Sequence, residues 1–487
     1  MIEFLTDESN RAYTENGALT NRTSGDYCLD LFFGAGAMRN ASEEDIARAV
    51  TRAYAEDSVK TLKIVFFARD VRGGLGERRF FSVAVRTLAA IAPDAVNRNA
   101  RYFAEYGRFD DLLALLGTQC ENAAFGIIEE QWRSDLAAYE REEPISLLAK
   151  WLPSVNATSE KARRTARRVA QRLKLSERDY RRTLSKLRRY LDIIENRLRE
   201  RDYTFDYGKQ TSGAMFKYRK AFSRNDRERY SEYLRGVIDG TMEMHADTLF
   251  PYQIVRGCFS YALSEQDKLS LDAAWRSLPV YGEMGNALAV IDGSGSMDFS
   301  RYGNVRPIDA ALSLGIYFAE HNKGAFANHF ITFSETPRLV EIKGSDIAEK
   351  ANFCATFNEV ANTNLEAVFE LILSAALRNN VPQSELPECL YIISDMEFDG
   401  CVIGGNSLTL FSAMEKRYAD CGYKLPEVVF WNVNCRPDNV PVTKSTTGAA
   451  LVSGFSPAIF DMMAGGEISP ELVMNSIINS ERYKMIS

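Results

Sequence analysis

Residues Leu288–Met297 read LAVIDGSGSM. Four apolar residues stop at Asp292, and two serines spaced by glycines follow. An apolar run bounded by turn residues is the pattern of a buried strand. Its tail has two readings: a flexible surface turn, or a cation site. In the second, Asp292, Ser294 and Ser296 stand at i, i+2 and i+4, and a tight turn aims a carboxylate and two hydroxyls at one point. Mg²⁺ takes hard oxygen ligands in near-octahedral geometry and keeps several waters, so such a set suits it.

Outward from this stretch, strands and helices alternate. Apolar segments at Ala287–Ile291, His329–Phe333, Leu339–Ile342, Cys389–Ile393, Val428–Val433 and Ala449–Val452 read as strands. Helical spacing fills the gaps at Ile308–Glu320, Leu365–Leu377 and Leu408–Ala419. That alternation predicts an α/β doubly wound, mostly parallel sheet over 286–455, with ligands bound at the carboxyl ends of its strands. Two more oxygen donors fall in suitable places. NTNLEAVF sets Thr363 in the loop before a helix, and LYIISD ends a strand at Asp395. A plainer reading makes Thr363 a helix cap and Asp395 a strand-end residue. In DMEFD, Asp395, Glu397 and Asp399 share one face of an extended chain. Clustered carboxylates of that kind can hold two metals for phosphodiester hydrolysis, although no histidine or lysine base stands near them in sequence.

Bulk properties narrow the field. At 487 residues the chain exceeds one ordinary core, and a 46% hydrophobic share with 26% charged residues belongs to a folded protein. No basic stretch leads into an early apolar run, and no apolar run approaches a membrane span, so no secretory signal or membrane segment is expected. Eight cysteines without a CxxC pair argue against a zinc ribbon and suit a reducing cytoplasm. Three histidines, His245, His321 and His329, share no metal-ligand spacing. Zinc hydrolases and histidine triads are thereby disfavoured.

The first half, 1–285, reads as helix after helix, an α-helical solenoid, open or closed into a ring. RGGLGE at Arg72–Glu77 lacks the GK[ST] ending of a phosphate loop, so Gly73, Gly74 and Gly76 read as turn glycines. Cys120 and Cys258 read as buried thiols. The net charge of −7 hides a segregation: Lys161–Arg235 holds 24 Lys+Arg against 10 Asp+Glu, +14 in 75 residues. Within it Leu184, Leu187, Leu191, Ile194 and Leu198 form one apolar helical stripe, while Arg182, Lys186 and Arg189 form a separate basic one. Lys217, Arg219 and Lys220 follow in KYRKAF. Such a zone predicts an anionic partner. Interleaved tyrosines (Tyr180, Tyr190, Tyr203, Tyr207, Tyr218, Tyr230) could stack on unpaired bases, or could simply pack the core.

DxSxS after a first strand, a later Thr, and an Asp closing a later strand resemble the metal-ion-dependent adhesion site of von Willebrand factor A domains. That resemblance implies a Mg²⁺ or Mn²⁺ site built from Asp292, Ser294, Ser296, Thr363 and Asp395, with the partner's acidic group completing the coordination. LDLFFGAGAMRN (Leu29–Asn40), FFARDVRGGLGERRFF (Phe66–Phe81) and YFAEYGRFDDLL (Tyr102–Leu113), joined by KYRKAF (Lys217–Phe222) and LVSGFSP (Leu451–Pro457), carry a second resemblance. HEAT-like helices before an α/β domain resemble the Ro ribonucleoprotein family, whose helical module is the TROVE ring, and more closely a TROVE-like subgroup. The implied function is binding of single-stranded or misfolded and small noncoding RNA. The resemblance transfers no RNA-binding residue, and the basic zone supplies the candidates Arg182, Lys186, Arg189, Lys217, Arg219 and Lys220 of a non-enzymatic, cytoplasmic protein. The alternatives are a protein-interaction scaffold that uses the metal site, and a metal-dependent nuclease. Residues 456–487 read as a helical tail that packs back on the helical half.

Overall fold

A computed structural model describes residues 1–281, 285–298, 305–334, 336–358, 364–400, 409–436, 438–462 and 468–487. Helices dominate up to Arg276, and a six-stranded sheet with flanking helices follows. A small antiparallel hairpin, β1 (Arg11–Tyr13) and β2 (Leu19–Asn21), precedes the main helical run. The sequence pattern does not announce it, because three-residue strands are too short to show a period.

The sheet is built from β3 (Ala287–Asp292), β4 (His329–Phe333), β5 (Leu339–Glu341), β6 (Cys389–Ser394), β7 (Glu427–Asn432) and β8 (Ala449–Ser453). Its order is β5-β4-β3-β6-β7-β8, parallel throughout except for the antiparallel edge strand β5. Counted from β3 this is 3-2-1-4-5-6, the doubly wound order. All six residues of β3 are buried, as expected of a strand covered on both faces. The Pro307–His321 helix comes close to β3 at Gly315, where a Cβ would lie 2.2 Å from Ile291. The chain runs from β3 toward one edge and from β6 toward the other. The switch point therefore lies between them, and outside the carboxyl ends of strands at such a point is where ligands bind.

In the helical half, Tyr27–Ala35, Glu43–Glu56, Ser58–Arg69 and Arg78–Ile91 pack on one another around Phe32, Phe66, Phe67, Phe80 and Phe81. Ser42 and Asp57 accept backbone N–H groups at the starts of the second and third, which satisfies otherwise orphaned donors. The RGGLGE glycines form a turn, as expected: Gly76 has φ +67°, and a Cβ on Gly74 would meet the Phe67 carbonyl at 2.1 Å. Cys120 and Cys258 are buried.

One expectation is corrected. The apolar stripe from Leu184 to Leu198 is not one helix but two, Glu177–Tyr190 and Ile194–Glu200. Asp192, at φ 45°, makes the break. Leu184 and Leu187 join the main core, whereas Ile194 joins a smaller second core with Phe205, Tyr207, Phe222 and Tyr230.

The main core is continuous from Ala18 to Ile486, so the helical and α/β halves are fused rather than strung on a linker. Ser453 at the end of β8 accepts from the Gly36 N–H at 3.0 Å and donates to the Phe32 carbonyl at 3.1 Å. The tail does return to the helical half. Its Pro470–Ile478 helix packs against Tyr27–Ala35 and Ser58–Arg69, and Ser487 N–H donates to Asn99 at 3.2 Å.

Candidate metal centre and basic helix face

Asp292 ends β3, and the turn after it folds back on its carboxylate. Asp292 Oδ1 accepts the Ser294 N–H at 2.9 Å, and Oδ2 accepts the Ser394 hydroxyl from the end of β6 at 2.6 Å. The Ser294 and Ser296 hydroxyls converge, 3.1 Å apart. Asp395 follows directly on β6 and, like Asp292, has no solvent exposure. Gly293 is required here, since a Cβ would stand 2.9 Å from the Asn358 backbone. Asp292, Ser294, Ser296 and Asp395 are thus gathered at the switch point. Thr363 lies outside the described residues. The cap of the Leu365–Asn379 helix is Asn364, which accepts the Ala367 N–H at 2.9 Å.

The electrostatics of this cluster fit a dication. Burial, reinforced by the Asp395 carboxylate, pushes Asp292 up to about 7. Burial likewise raises Asp395, against the opposing pull of Arg436. Arg436 Nη2 stands 3.6 Å from Asp395 Oδ2, beyond hydrogen-bond reach, and that buried oxygen has no hydrogen-bond partner among the described residues. Two buried carboxylates side by side repel each other, and Arg436 offsets that repulsion on the Asp395 side alone. Two carboxylates and two hydroxyls are the hard-oxygen donors that Mg²⁺ or Mn²⁺ takes.

Glu397 and Asp399 serve another purpose. Glu397 is 4% exposed, and its carboxylate accepts Asn439 Nδ2 at 3.0 Å and the Glu15 N–H at 2.6 Å. Thr14 donates to the Phe398 carbonyl at 2.6 Å, Asn16 donates to the Glu397 carbonyl at 2.8 Å, and Asp399 forms a backbone bridge with Gly17. The DMEFD segment therefore anchors the β1–β2 hairpin. Glu397 is thereby a buried, hydrogen-bonded carboxylate that still feels the Asp395 charge.

The basic zone is displayed in part. On the Glu177–Tyr190 helix, Arg178, Arg182, Lys186 and Arg189 are exposed at spacings of four, four and three, along one face. None is ion-paired among the described residues, and Lys186 lies over the Tyr139 ring at 4.0 Å. By contrast Arg163, Arg164, Arg167, Arg168 and Arg172 are paired with glutamates. Lys217 and Lys220 are exposed. Arg219 is turned inward: it donates to the Phe216 carbonyl at 2.7 Å and covers that ring at 4.1 Å, and burial lowers its pKa. Most of the tyrosines are also withdrawn. Tyr180, Tyr207 and Tyr230 are core residues, and Tyr180 stacks on Trp132. Tyr190 and Tyr218 are half-buried and donate to the Glu143 carbonyl and to Glu195. An aromatic ring in a basic helix packs inward because its apolar area outweighs one hydroxyl, which finds a partner at the rim.

Sequence reasoning misses two residues of the site, Ser394 and Arg436, and does not foresee the hairpin contacts of Glu397. Ser394 sits one residue before Asp395, a position where a hydroxyl faces the neighbouring strand end. Arg436 and Glu397 gain their roles only from contacts distant in sequence.

The family described as Domain of unknown function (DUF2828) matches residues 14–131 and 127–278, and Domain of unknown function (DUF7788) matches 286–482. The "Uncharacterized protein L728" of Acanthamoeba polyphaga mimivirus is 28% identical over 500 residues, covering 94% of this chain and 85% of that one. Among solved structures, the Ro (RSR) protein of Deinococcus radiodurans is similar at 12% identity with a TM-score of 0.38, covering 94% of this chain and 99% of that one.

Proposed function

This chain belongs to the DUF2828 family, and from that premise we propose that it is a non-enzymatic, cytoplasmic RNA-binding protein with an adhesion-type Mg²⁺ or Mn²⁺ site. The observation that carries the RNA reading is the row Arg178, Arg182, Lys186 and Arg189: four exposed cations without ion-pair partners among the described residues, on one helix. At 1.5 Å rise per residue the row spans roughly 16 Å, several phosphates of a single strand. A merely solvated face of mixed charge resembles the neighbouring 163–172 stretch, where each arginine has its glutamate. Lys217 and Lys220 add exposed cations on a different helix, Ser212–Asn225; Arg219 does not.

The metal site would be held by Asp292, Ser294, Ser296 and Asp395, with Thr363 as a further donor carried over from the von Willebrand A resemblance. A bound ion supplies a Lewis-acidic point for an incoming anionic group. No helix among the described residues is long and apolar enough to cross a membrane. A second reading, a scaffold that grips an acidic residue of a protein partner, is favoured by Ser296, which is half-exposed at the rim of the site.

The deciding experiment is fluorescence anisotropy of a single-stranded RNA against the full chain over a range of salt, with duplex RNA and heparin as competitors. Preference for the single strand, lost in the triple variant Arg182→Ala/Lys186→Ala/Arg189→Ala, supports the RNA reading. Equal binding to every polyanion overturns it and leaves the scaffold.

A further inference from the structure

A cleft of about 460 Å³ separates the Tyr27–Ala35 and Glu43–Glu56 helices from the carboxyl end of β7 and the turn after β3. Ser296 of the metal turn lines it, so the cleft and the candidate metal centre share a wall. Four arginines from three regions of the chain also line it: Arg22 after the hairpin, Arg48 and Arg52 one helical turn apart, and Arg436 after β7. Arg22, Arg48 and Arg52 are exposed. Arg436 Nε is buried with no hydrogen-bond partner among the described residues, while its Nη2 reaches toward Asp395. Arg52 lies 5.8 Å over the ring of Tyr27, a further lining residue.

Three acids line the cleft as well, and two are already engaged. Asp30 accepts the Thr23 hydroxyl and the Ser24 N–H. Asp45 accepts the Ser42 hydroxyl at 2.7 Å and pairs with Arg48. Asp438 is exposed. Arg48 is correspondingly paired with Asp45, and Arg436 stands 3.5 Å from Glu15 and 3.6 Å from Asp395, so a ligand meets Arg22 and Arg52 first and Arg48 and Arg436 by exchange of partners.

We propose that this cleft is a composite site for a terminal polyphosphate group, bridged to Asp292 and Asp395 by the divalent ion; it rests on the metal-site reading above. Mg²⁺ is commonly held by one or two protein carboxylates together with ligand phosphates, which is the arrangement the shared wall at Ser296 permits. Guanidiniums match phosphate oxygens two at a time. A single carboxylate would engage one or two of the arginines, whereas a chain of phosphates can reach several around the cleft. The volume lies within the range of small-molecule pockets. Two sources share this chemistry: a free nucleoside triphosphate and the 5′-triphosphate end of an RNA.

The test uses the full chain and isothermal titration with Mg·ATP, alongside anisotropy with one RNA sequence carrying either a 5′-triphosphate or a 5′-hydroxyl. The double variant Arg48→Ala/Arg52→Ala should weaken triphosphate binding by about tenfold or more. Binding of the 5′-hydroxyl RNA, and the melting temperature, should be unchanged. Binding of ATP assigns the free nucleotide; discrimination between the two RNAs without ATP binding assigns the RNA end. Mn²⁺ uptake followed by electron paramagnetic resonance, without ligand, separates the two layers. Mn²⁺ binding that Asp292→Asn removes, combined with no triphosphate binding of either kind, overturns this inference and leaves the metal site standing. Triphosphate binding indifferent to both the arginines and the metal overturns it too.

Discussion

The Ser394 hydroxyl donates to Asp292 Oδ2 at 2.6 Å and joins the ends of β3 and β6 across the point where the sheet reverses its order. The same hydroxyl oxygen accepts the Met396 N–H at 3.0 Å, and Met396 holds a left-handed φ of 66°. One side chain thus sets both the Asp292 carboxylate and the turn that carries Asp395. Ser394→Ala should leave the sheet folded yet cost about 1–3 kcal/mol, the penalty of a buried acceptor and a buried donor losing their partner. Urea unfolding reads that loss, and Mn²⁺ affinity should fall with it, because the ligand is no longer oriented. Unchanged affinity would separate Ser394 from the metal site.

Asp292 gives the metal-free protein a definite pH response. Burial and Asp395 raise its folded pKa to about 7, above the ordinary carboxylate value it regains on unfolding. Between those values the folded state binds the extra proton, so stability is full at low pH and falls as pH rises toward 7. A dication reverses the preference by favouring the carboxylate, so metal affinity should rise through the same window with release of a proton. Melting temperatures from pH 4.5 to 8, in EDTA and in excess Mg²⁺, should diverge as pH increases. Asp292→Asn should flatten the EDTA curve and remove the Mg²⁺ increment. Parallel curves would mean that no ion binds there.

The basic face predicts a number. If Arg182, Lys186 and Arg189 each neutralise one phosphate, the triple alanine variant should reduce the slope of log K against log salt by about 2, at roughly 0.7 per single-strand contact. Arg219→Ala should leave the slope unchanged, because its guanidinium is spent on Phe216. Equal slopes for the triple variant and the native chain would exclude that face from the RNA contact.

Much of the sheet is legible in the amino-acid sequence. β4 begins and ends at His329 and Phe333 as expected, and the other sheet strands agree within one residue at each end, because buried parallel strands are short apolar runs between turn residues. The same logic puts Asp292 and Asp395 at strand ends and hence near each other. Side-chain fate is less legible. Arg182 and Arg219 look alike in sequence, yet one is exposed and the other lies on Phe216, which only tertiary packing decides. The Ile347–Ala355 helix, nine residues long, is too short for its apolar spacing to stand out from a connection. Glu397 has the sequence position of a third site carboxylate but anchors a hairpin from the other end of the chain.

Asp70 extends that lesson to the tail. It is fully buried at the start of the RGGLGE turn, pairs with Arg482 through Nε and through Nη2 at 2.6 Å, and meets the Tyr483 hydroxyl at 3.0 Å. Those contacts hold the last residues on the helical half, where Tyr483 also stacks on Tyr106. Asp70→Ala strands a half-buried guanidinium and should destabilise on the order of 3 kcal/mol. Tyr483→Phe removes one hydroxyl partner and should cost about 1 kcal/mol. If the tail is an independent appendage, neither change will move the urea midpoint, and proteolysis of residues 470–487 will leave the rest of the chain equally stable. If it belongs to the common core, as Tyr483 and Ile486 indicate, both variants will unfold earlier in one cooperative transition.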